Sequence, residues 1–246
     1  MSPESNRSGE RKAMKTILGK LFRAVRRWFV PGALALLALG CIAHVAWKAS
    51  GSGQWRQVRD EDGVQVFTLK EPGATLLKFR ATTRVKTSLA SSVFLFRGDE
   101  STNDDFGGKH FRIFDRIEKP SVYRAYFKVE QPMPPPFGTK ELVCLLNYAQ
   151  DPKTKEVLIN VQAAPSRIPP TPGTTRVTHL NNMFRLTPLP DGMVQWEVTG
   201  DVDMGLFYPL ANLAMPQFMF QGIRDQRKLV LKDKYQKVSL VSVQEL

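Results

Sequence analysis

Apolar and polar side chains alternate in several separate segments between residues 110 and 202. Residues 123–130 read Tyr-Arg-Ala-Tyr-Phe-Lys-Val-Glu, and the same two-residue period returns over 110–117, 157–163 and 194–199. A period of two places successive side chains on opposite faces of a β-strand. The pattern therefore predicts a large antiparallel sheet with one wet face and one apolar face that is rich in aromatic residues.

The rest of the chain beyond residue 54 completes an α+β fold class. A turn signal at Glu71-Pro72-Gly73 joins the first two predicted strands as a hairpin. No internal repeat or second linker follows, so residues 54–240 are expected to form one folded domain. Strands are predicted over Val64–Lys70, Leu76–Val85, His110–Ile117, Val122–Gln131, Lys140–Ala149, Glu156–Ala163, Thr175–Thr187 and Met193–Val202, and helices over Ser88–Arg97 and Pro209–Gln236.

The long C-terminal helix is expected to cover the apolar face of the sheet. Its first half is mostly apolar, and polarity returns at Arg224. Pro216 has no backbone N–H, which predicts a kink or a restart there and a front end that can move. Methionines along this segment are most often ordinary core, although flexible thioethers also suit a surface that repacks around variable apolar ligands.

Residues 28–48 are predicted to form a transmembrane anchor. Trp28 to Trp47 is a run of twenty residues without an acidic or basic side chain, His44 being counted as neutral. A helix of this length spans about 30 Å, the thickness of the hydrocarbon core of a bilayer. Tryptophans at both ends match the aromatic belts of membrane interfaces. Cleavage as a secretory signal at Ala49-Ser50-Gly51 and a lipoprotein box ending at Cys41 are the alternatives to an uncleaved single-pass anchor.

The basic charge is concentrated before this segment. Residues 1–48 carry nine Lys and Arg and two Glu, a net +7 of the total +12. The positive-inside rule places residues 1–27 in the cytoplasm and the folded domain on the far side, which is the periplasm in a Gram-negative cell. Residues 14–29 have the spacing of a basic amphipathic helix on the membrane surface, or of a plain extension of the anchor. The folded part lacks the concentrated charge of a nucleic-acid-binding domain.

No catalytic set is visible in the sequence. It contains no Gly-x-Ser-x-Gly elbow, no phosphate-binding glycine loop, no dinucleotide fingerprint and no Cys-x-x-Cys. The two cysteines cannot form a four-ligand zinc site by themselves, and three histidines leave little material for metal chemistry. We therefore expect a protein that is not an enzyme and that needs no metal or other cofactor.

The order of the predicted elements resembles the START (StAR-related lipid-transfer) family over residues 55–235. Local details agree: Trp55 followed by Asp62-Gly63-Val64, prolines at 132 and 134 ahead of Lys140-Glu141, and Asp203 leading into residues 209–216. Two details depart from the family. Its Arg-Asp pair is Lys140-Glu141 here, and the Gly-Gly that often follows the late Asp is reduced to Gly205.

The resemblance implies a membrane-anchored bacterial member with a helix-grip fold, in which a curved sheet wraps around the long helix and encloses an apolar cavity. The expected partners are the membrane and a lipid or other hydrophobic small molecule bound in this cavity. Whether the protein also transfers that ligand is left open. Polar contacts are expected from Asp115, Arg185 and Asp203, and from Asn181 or Asn182. The expected lining consists of Phe79, Phe111, Ile113, Tyr123, Phe127, Val161, Trp196, Met204, Phe207, Met215, Phe218 and Met219.

Two other functions fit the same sequence. One is an interaction module that binds an envelope protein or peptide in its groove and holds no ligand. The other is an enzyme of the same fold acting on a small hydrophobic substrate, for which Asp115, His110 or His179 would have to line the cavity. The sequence leaves the oligomeric state and the identity of the ligand open.

Overall fold

The computed structural model describes Arg27, residues 29–99, Thr102, Asp105 and residues 107–246. The chain divides into two compact units, Met1–Ser50 and Gly51–Leu246. The first contains helix α1, Phe29–Ala49, which is long and apolar enough to cross a membrane. The predicted cytoplasmic tail and its amphipathic helix, except Arg27 and Phe29, lie outside the described residues.

The second unit is built on a ten-stranded sheet. Nine strands follow the spatial order β1-β2-β3-β10-β9-β7-β6-β5-β4 with antiparallel neighbours, and β8 pairs with β6 in parallel. The strands are β1 Trp55–Glu61, β2 Val64–Leu69, β3 Lys78–Lys86, β4 Lys109–Lys119, β5 Val122–Pro132, β6 Thr139–Gln150, β7 Val157–Ala163, β8 Thr174–Arg176, β9 His179–Pro188 and β10 Met193–Asp203.

The second unit also contains three helices. Helix α2, Leu89–Arg97, begins at Ser88, whose Oγ accepts a hydrogen bond from the Ser91 N–H at 3.0 Å. It contacts β7 and β9. The long helix α3, Tyr208–Val230, contacts β1, β2 and β3, and the short α4 spans Asp233–Gln236. The predicted α+β architecture, an antiparallel sheet with a long C-terminal helix, is confirmed.

The structure corrects three of the predicted elements. Strand β1 was not predicted, although Asp62 and Gly63 both have positive φ (51° and 70°) and form the tight hairpin turn that an Asp-Gly pair favours. The single strand predicted over 175–187 is two strands, because Val177 and Thr178 separate β8 from β9. Helix α3 runs through Pro216 without a break and ends at Val230.

The alternation predicted for β4 fails in its second half. Register shifts interrupt the β4–β5 pairing before Arg112 and before Arg116, and Asp115 has φ 59°. A bulge of this kind adds a residue and moves every later side chain to the opposite face. Ile117, predicted on the apolar face, is therefore 46% exposed.

The core is centred on Trp196 in β10, which is fully buried. Its indole Nε1–H donates to Ser92 Oγ in α2 at 3.0 Å, and the Phe96 ring packs against it edge to face at 4.8 Å. These contacts fix α2 against the inner face of the sheet, which is the face that α2 and α3 cover. That part of the inner face is closed by the protein itself.

The C-terminal segment also packs on the folded unit. The Glu245 carboxylate accepts hydrogen bonds from the N–H groups of Leu89 and Ala90, at 3.0 and 2.8 Å, at the first turn of α2. Ser242 Oγ lies 2.5 Å from the Tyr148 hydroxyl in β6. The segment thus ties α2 to the middle of the sheet.

The variant Ser92→Ala tests the buried indole contact. It leaves the Trp196 N–H without an acceptor, which costs about 1–3 kcal/mol, and the higher helix propensity of alanine offsets about 0.5 kcal/mol of this. We expect the free energy of unfolding in urea to fall by about 1–2 kcal/mol. Ser166→Ala, at an exposed loop position, is the control and should change it little; equal values for both variants would contradict the role of this bond.

Candidate functional site

The candidate site is a band of apolar side chains on the inner face of β4, β5, β6, β9 and β10, away from the strands that α3 contacts. Its members are only partly buried. All but one of them pack against the core, and the remaining one, Phe111, stacks on Phe127, which packs against the core. Phe111 stacks on Phe127 with ring centroids 5.5 Å apart. We call this band the inner strip; it comprises Phe111, Ile113, Phe127, Leu142, Phe184, Val202 and Met204, with Met215 of α3.

The predicted lining residues divide into three groups. Phe79, Tyr123, Val161, Trp196 and Met219 are buried in the packed core. Phe111, Ile113, Phe127, Met204 and Met215 belong to the inner strip. Phe207 and Phe218 make up the third group. The role of the first two groups in ligand binding stays a prediction.

Phe207 and Phe218 do not face the interior. They are 70% and 72% exposed. Helix α3 turns Met219, Phe220 and Ile223 towards the sheet, and a residue adjacent in sequence lies about 100° around a helix, so Phe218 points elsewhere. Phe207 precedes the first turn of α3. The prediction that these two rings line an inner cavity is wrong for this structure.

The three charged residues predicted as polar contacts also lie outside the inner strip. Asp115, at the β4 bulge, pairs with Arg167 at 2.6 Å. Arg185 lies between the inward-facing Phe184 and Leu186 and points outward, 3.6 Å from Glu156. The exposed Asp203 carboxylate accepts a hydrogen bond from the Gly205 N–H at 2.8 Å. In each case the strand register, rather than the residue type, decides which face of the sheet the side chain lies on.

The sequence predicted a polar contact from either Asn181 or Asn182, and in the structure Asn182 is the one that faces inward. It pairs with Val161 on one side and Gly200 on the other. A Cβ on Gly200 would collide with Asn182 Oδ1, so glycine makes room for this side chain. Within the described residues Asn182 Oδ1 is buried without a hydrogen-bond partner.

Lys140 and Glu141 lie on opposite faces of β6. Lys140 shares the inner face with Leu142 and Cys144, whereas Glu141 faces outward and is fully buried under the 165–174 loop. Arg176 binds the Glu141 carboxylate through Nε at 2.8 Å and Nη2 at 2.7 Å. Lys128 Nζ lies 3.3 Å from it.

The same carboxylate holds the 165–174 loop. Thr171 donates to Glu141 through its hydroxyl at 2.5 Å and its N–H at 3.2 Å, and Arg176 donates to the carbonyl oxygens of Ile168 and Pro169 at 3.1 and 3.0 Å. Burial alone raises the pKa of Glu141, but the hydrogen bonds from Thr171, Arg176 and Lys128 outweigh it and lower that pKa to about 2. The outer wall behind the strip is therefore fixed by one ionised group.

The remaining candidates for chemistry lie apart from one another. His110 Nδ1 is 2.8 Å from Glu130, and His179 Nε2 is 2.9 Å from Asp201, both pairs being on the outer face. Burial raises the pKa of Cys144 to about 12, so its thiol is protonated at neutral pH. Among the described residues, no group of three or more His, Cys, Asp or Glu is placed to hold a metal ion.

Two surface pockets lie elsewhere on the unit. One, of about 530 Å³, is formed where β3, α2 and the β9–β10 turn meet the C-terminal residues. The other, of about 600 Å³, lies on the outer face of β2, β3 and β10, with Arg80, Arg84 and Arg227 among its walls. Neither includes a residue of the inner strip.

Solved structures share this arrangement of sheet and helices. A fragment of the STAR-related lipid transfer protein from Xanthomonas axonopodis superposes with a TM-score of 0.66 at 18% identity, over 74% of this chain and 100% of that one. The human StAR-related lipid transfer protein 5 gives 0.61 at 17% identity, over 80% and 97%. The fold is that of the StAR-related lipid-transfer domains.

The likeness extends to the lipid transfer and protein localization domain of human StarD13, with a TM-score of 0.61 at 10% identity, over 79% of this chain and 96% of that one. No protein-family model matches the sequence, and no curated protein matches it. At these identities the comparisons establish the START-like fold, and the residues of the site have to be argued from this chain.

The pH dependence of stability should depend on Glu141. Its pKa is below the ordinary 4.5, so its contribution is complete above about pH 4.5 and is lost as the pH falls towards 2. The shift corresponds to about 3 kcal/mol. We expect urea unfolding at pH 7 to show Glu141→Gln less stable by about 3–5 kcal/mol, because it leaves buried Arg176 without its counter-charge, with the deficit shrinking between pH 4.5 and 2.

Glu71→Gln provides the matched control for that experiment. Glu71 pairs with Lys78 at 2.8 Å, but both side chains are well exposed, and such pairs contribute less than about 1 kcal/mol. A deficit for Glu141→Gln that is as small as that for Glu71→Gln, or that does not change with pH, would show that Glu141 does not fix the loop.

Proposed function

We propose that this protein binds a lipid or similar hydrophobic molecule along the inner strip while α1 tethers it to a membrane. The observation that carries the proposal is the partial exposure of seven apolar side chains on the inner face of the sheet, beyond the strands β1–β3 that α3 contacts. Apolar walls with a few polar groups are typical of small-molecule sites in proteins. Asn182, Lys140 and its cross-strand partner Gln131 are polar groups on this face.

Burial of the ligand supplies the binding energy. Each methylene removed from water contributes about 0.8 kcal/mol, so one long acyl chain provides about 10 kcal/mol before the costs of ordering are subtracted. The rings of Phe111 and Phe127 and the thioethers of Met204 and Met215 are adaptable partners for such a chain. No covalent step is required, and we propose binding without catalysis.

The front of α3 is proposed as the contact with the bilayer and as the moving part. Phe207, Leu210, Leu213 and Phe218 are exposed apolar residues on or just before its first three turns; we call them the front patch. Exposed apolar side chains grouped in this way mark a surface that is covered by a partner or by lipid. Insertion of the front patch would move the front of α3, including Met215, together with the loop at Gly205, and would open an entry to the rest of the inner strip.

The tether is proposed to be an uncleaved single-pass helix. Helix α1 is 21 residues long and none of its most apolar window is buried within the protein. The basic residues before it support a topology with the N-terminus in the cytoplasm and the folded unit on the far side, the periplasm in a Gram-negative cell. Transfer between membranes would require release of the ligand from a domain that stays attached.

Leu142→Trp should block binding, because the larger side chain fills the inner strip. The full chain in phosphatidylcholine nanodiscs is irradiated with a diazirine-bearing fatty acid, and labelled peptides are identified by mass spectrometry. In the native chain we expect labels on 111–127, 142–144 and 202–215. In the variant these should fall at least fivefold, while labelling of α1 is unchanged.

Leu145→Trp is the matched control for that experiment, since residue 145 lies on the outer face of the same strand. An enlarged side chain costs about 1–3 kcal/mol in either place, so unfolding temperatures check that both variants are folded. Labels confined to α1 in the native chain, or an equal loss in both variants, would overturn the proposed binding site.

Leu213→Glu tests the front patch. Leu213 is 80% exposed, so the change should leave stability within about 0.5 kcal/mol. A carboxylate there opposes insertion into the bilayer, and we expect the rate of fluorescent fatty-acid uptake from vesicles to fall at least fivefold while the amount bound at equilibrium is kept. Val241→Glu, equally exposed on the C-terminal segment, is the control; the same rate in both variants would rule out the front patch as the entry surface.

A further inference from the structure

Lys140 lies at one end of the inner strip. The residue is 5% exposed, and its ammonium keeps some contact with solvent. It pairs in register with Gln131 and precedes the inward-facing Leu142 by two residues, so it points to the inner face. A Cβ on Gly205 would lie 3.6 Å from Lys140 Nζ, which places the ammonium beside the loop between β10 and α3.

This ammonium has no counter-charge in the described part of the chain. No hydrogen bond or ion pair joins Lys140 Nζ to another described residue. The acidic residues next to it in the sheet, Glu130 and Glu141, face outward and are paired with Lys128 and Arg176. Asp203, near Gly205, uses its carboxylate to accept the Gly205 N–H.

A cation that is largely removed from water and has no ion-pair partner is unfavourable, and an anion that enters the site reduces that cost. The contrast with Glu141 is informative, because one residue further along β6 every oxygen of a buried carboxylate is bonded by the protein itself. Among the described residues, Lys140 is a cation on the inner face that forms no ion pair.

We propose that the Lys140 ammonium binds the acidic headgroup of the ligand, and that the ligand is an anionic amphiphile with one carboxylate or phosphate and an apolar chain. The inference rests on the proposed function and adds the ligand class and its orientation. The headgroup lies at the β10–α3 loop, where the entry is proposed, and the chain runs from Leu142 towards Phe127 and Phe184. A positive charge at the mouth and an apolar strip beyond it favour such a molecule over a neutral one of the same shape.

The test compares two photoactivatable probes of the same shape, diazirine-bearing palmitic acid and its methyl ester. Each is titrated into the full chain in phosphatidylcholine nanodiscs, and labelling of the inner strip is followed by mass spectrometry. We expect the acid to label the strip at concentrations at least tenfold lower than the ester. Lys140→Met should remove this preference by weakening the acid at least tenfold without affecting the ester.

Two further variants separate charge from structure. Lys140→Arg keeps the cation and should keep the preference for the acid, whereas Lys119→Met removes an exposed charge and should change nothing. Thermal unfolding should show Lys140→Met at least as stable as the native chain, since it replaces a cation without an ion-pair partner by an apolar side chain in a largely buried position. If Lys140→Met fails to fold, Lys140 is a structural residue and the proposal is overturned.

The outcomes distinguish this inference from the function on which it rests. Equal labelling of the strip by acid and ester, unaffected by Lys140→Met, would falsify the headgroup role and leave lipid binding intact. Absence of labelling of the strip by both probes overturns lipid binding and the inference together. Competition by unlabelled palmitate and by a single-chain phosphatidate then shows which acidic group Lys140 accepts: displacement by the first alone assigns a carboxylate, and by the second alone a phosphate.

Discussion

The inner face of the sheet is wider than the helices that cover it. Nine strands at a spacing of about 4.8 Å make a surface about 40 Å across, whereas a helix with its side chains is about 10 Å wide. Helix α3 contacts β1–β3, and α2 contacts β7 and β9. The curve of the sheet reduces the difference but does not remove it. The apolar side chains of β4, β5 and the first half of β6 are the part left over, and the proposed function follows from them.

Alternation along β6 then decides which charge faces the outer wall and which faces the proposed binding site. Glu141 faces outward, where Arg176, Lys128 and Thr171 saturate it and fix the 165–174 loop. Lys140 faces inward, where no residue of the described part of the chain pairs with it. Lys140 and Glu141 are adjacent in the sequence and have opposite charges, but their side chains lie on opposite faces of the sheet. They therefore do not pair with each other.

Much of the fold was predictable because it depends on local periodicity. Alternation gave seven of the ten strands with bounds within a few residues, and the apolar first half of residues 209–236 gave α3. Strand β1 was missed although its Asp62-Gly63 turn signal was present, because Arg56 to Glu61 is mostly polar and offers no alternation. Ile117 was predicted on the wrong face of the sheet, because no sequence pattern indicated the β4 bulge.

The site was less predictable, because a lining residue is defined by what lies opposite it. Phe127 and Met204 were found as members of apolar faces, but Phe207 and Phe218 belong to the same apolar run and point outward. The parity of Lys140 with Leu142 was a usable signal for the inward cation. Its lack of a partner was not, since that depends on where Glu130, Glu141 and Asp203 turn their carboxylates.

The sequence by itself determined the local features: an apolar segment long enough to cross a bilayer, a basic stretch before it, strands with one apolar face, and a long C-terminal helix. These depend on contacts between residues close in the chain and on the energetics of each residue with water. Only the tertiary structure decided how far α2 and α3 extend over the sheet, which aromatic rings are enclosed, and which of two neighbouring charges is left unpaired. Those outcomes depend on packing between segments a hundred or more residues apart, and no local pattern encodes them.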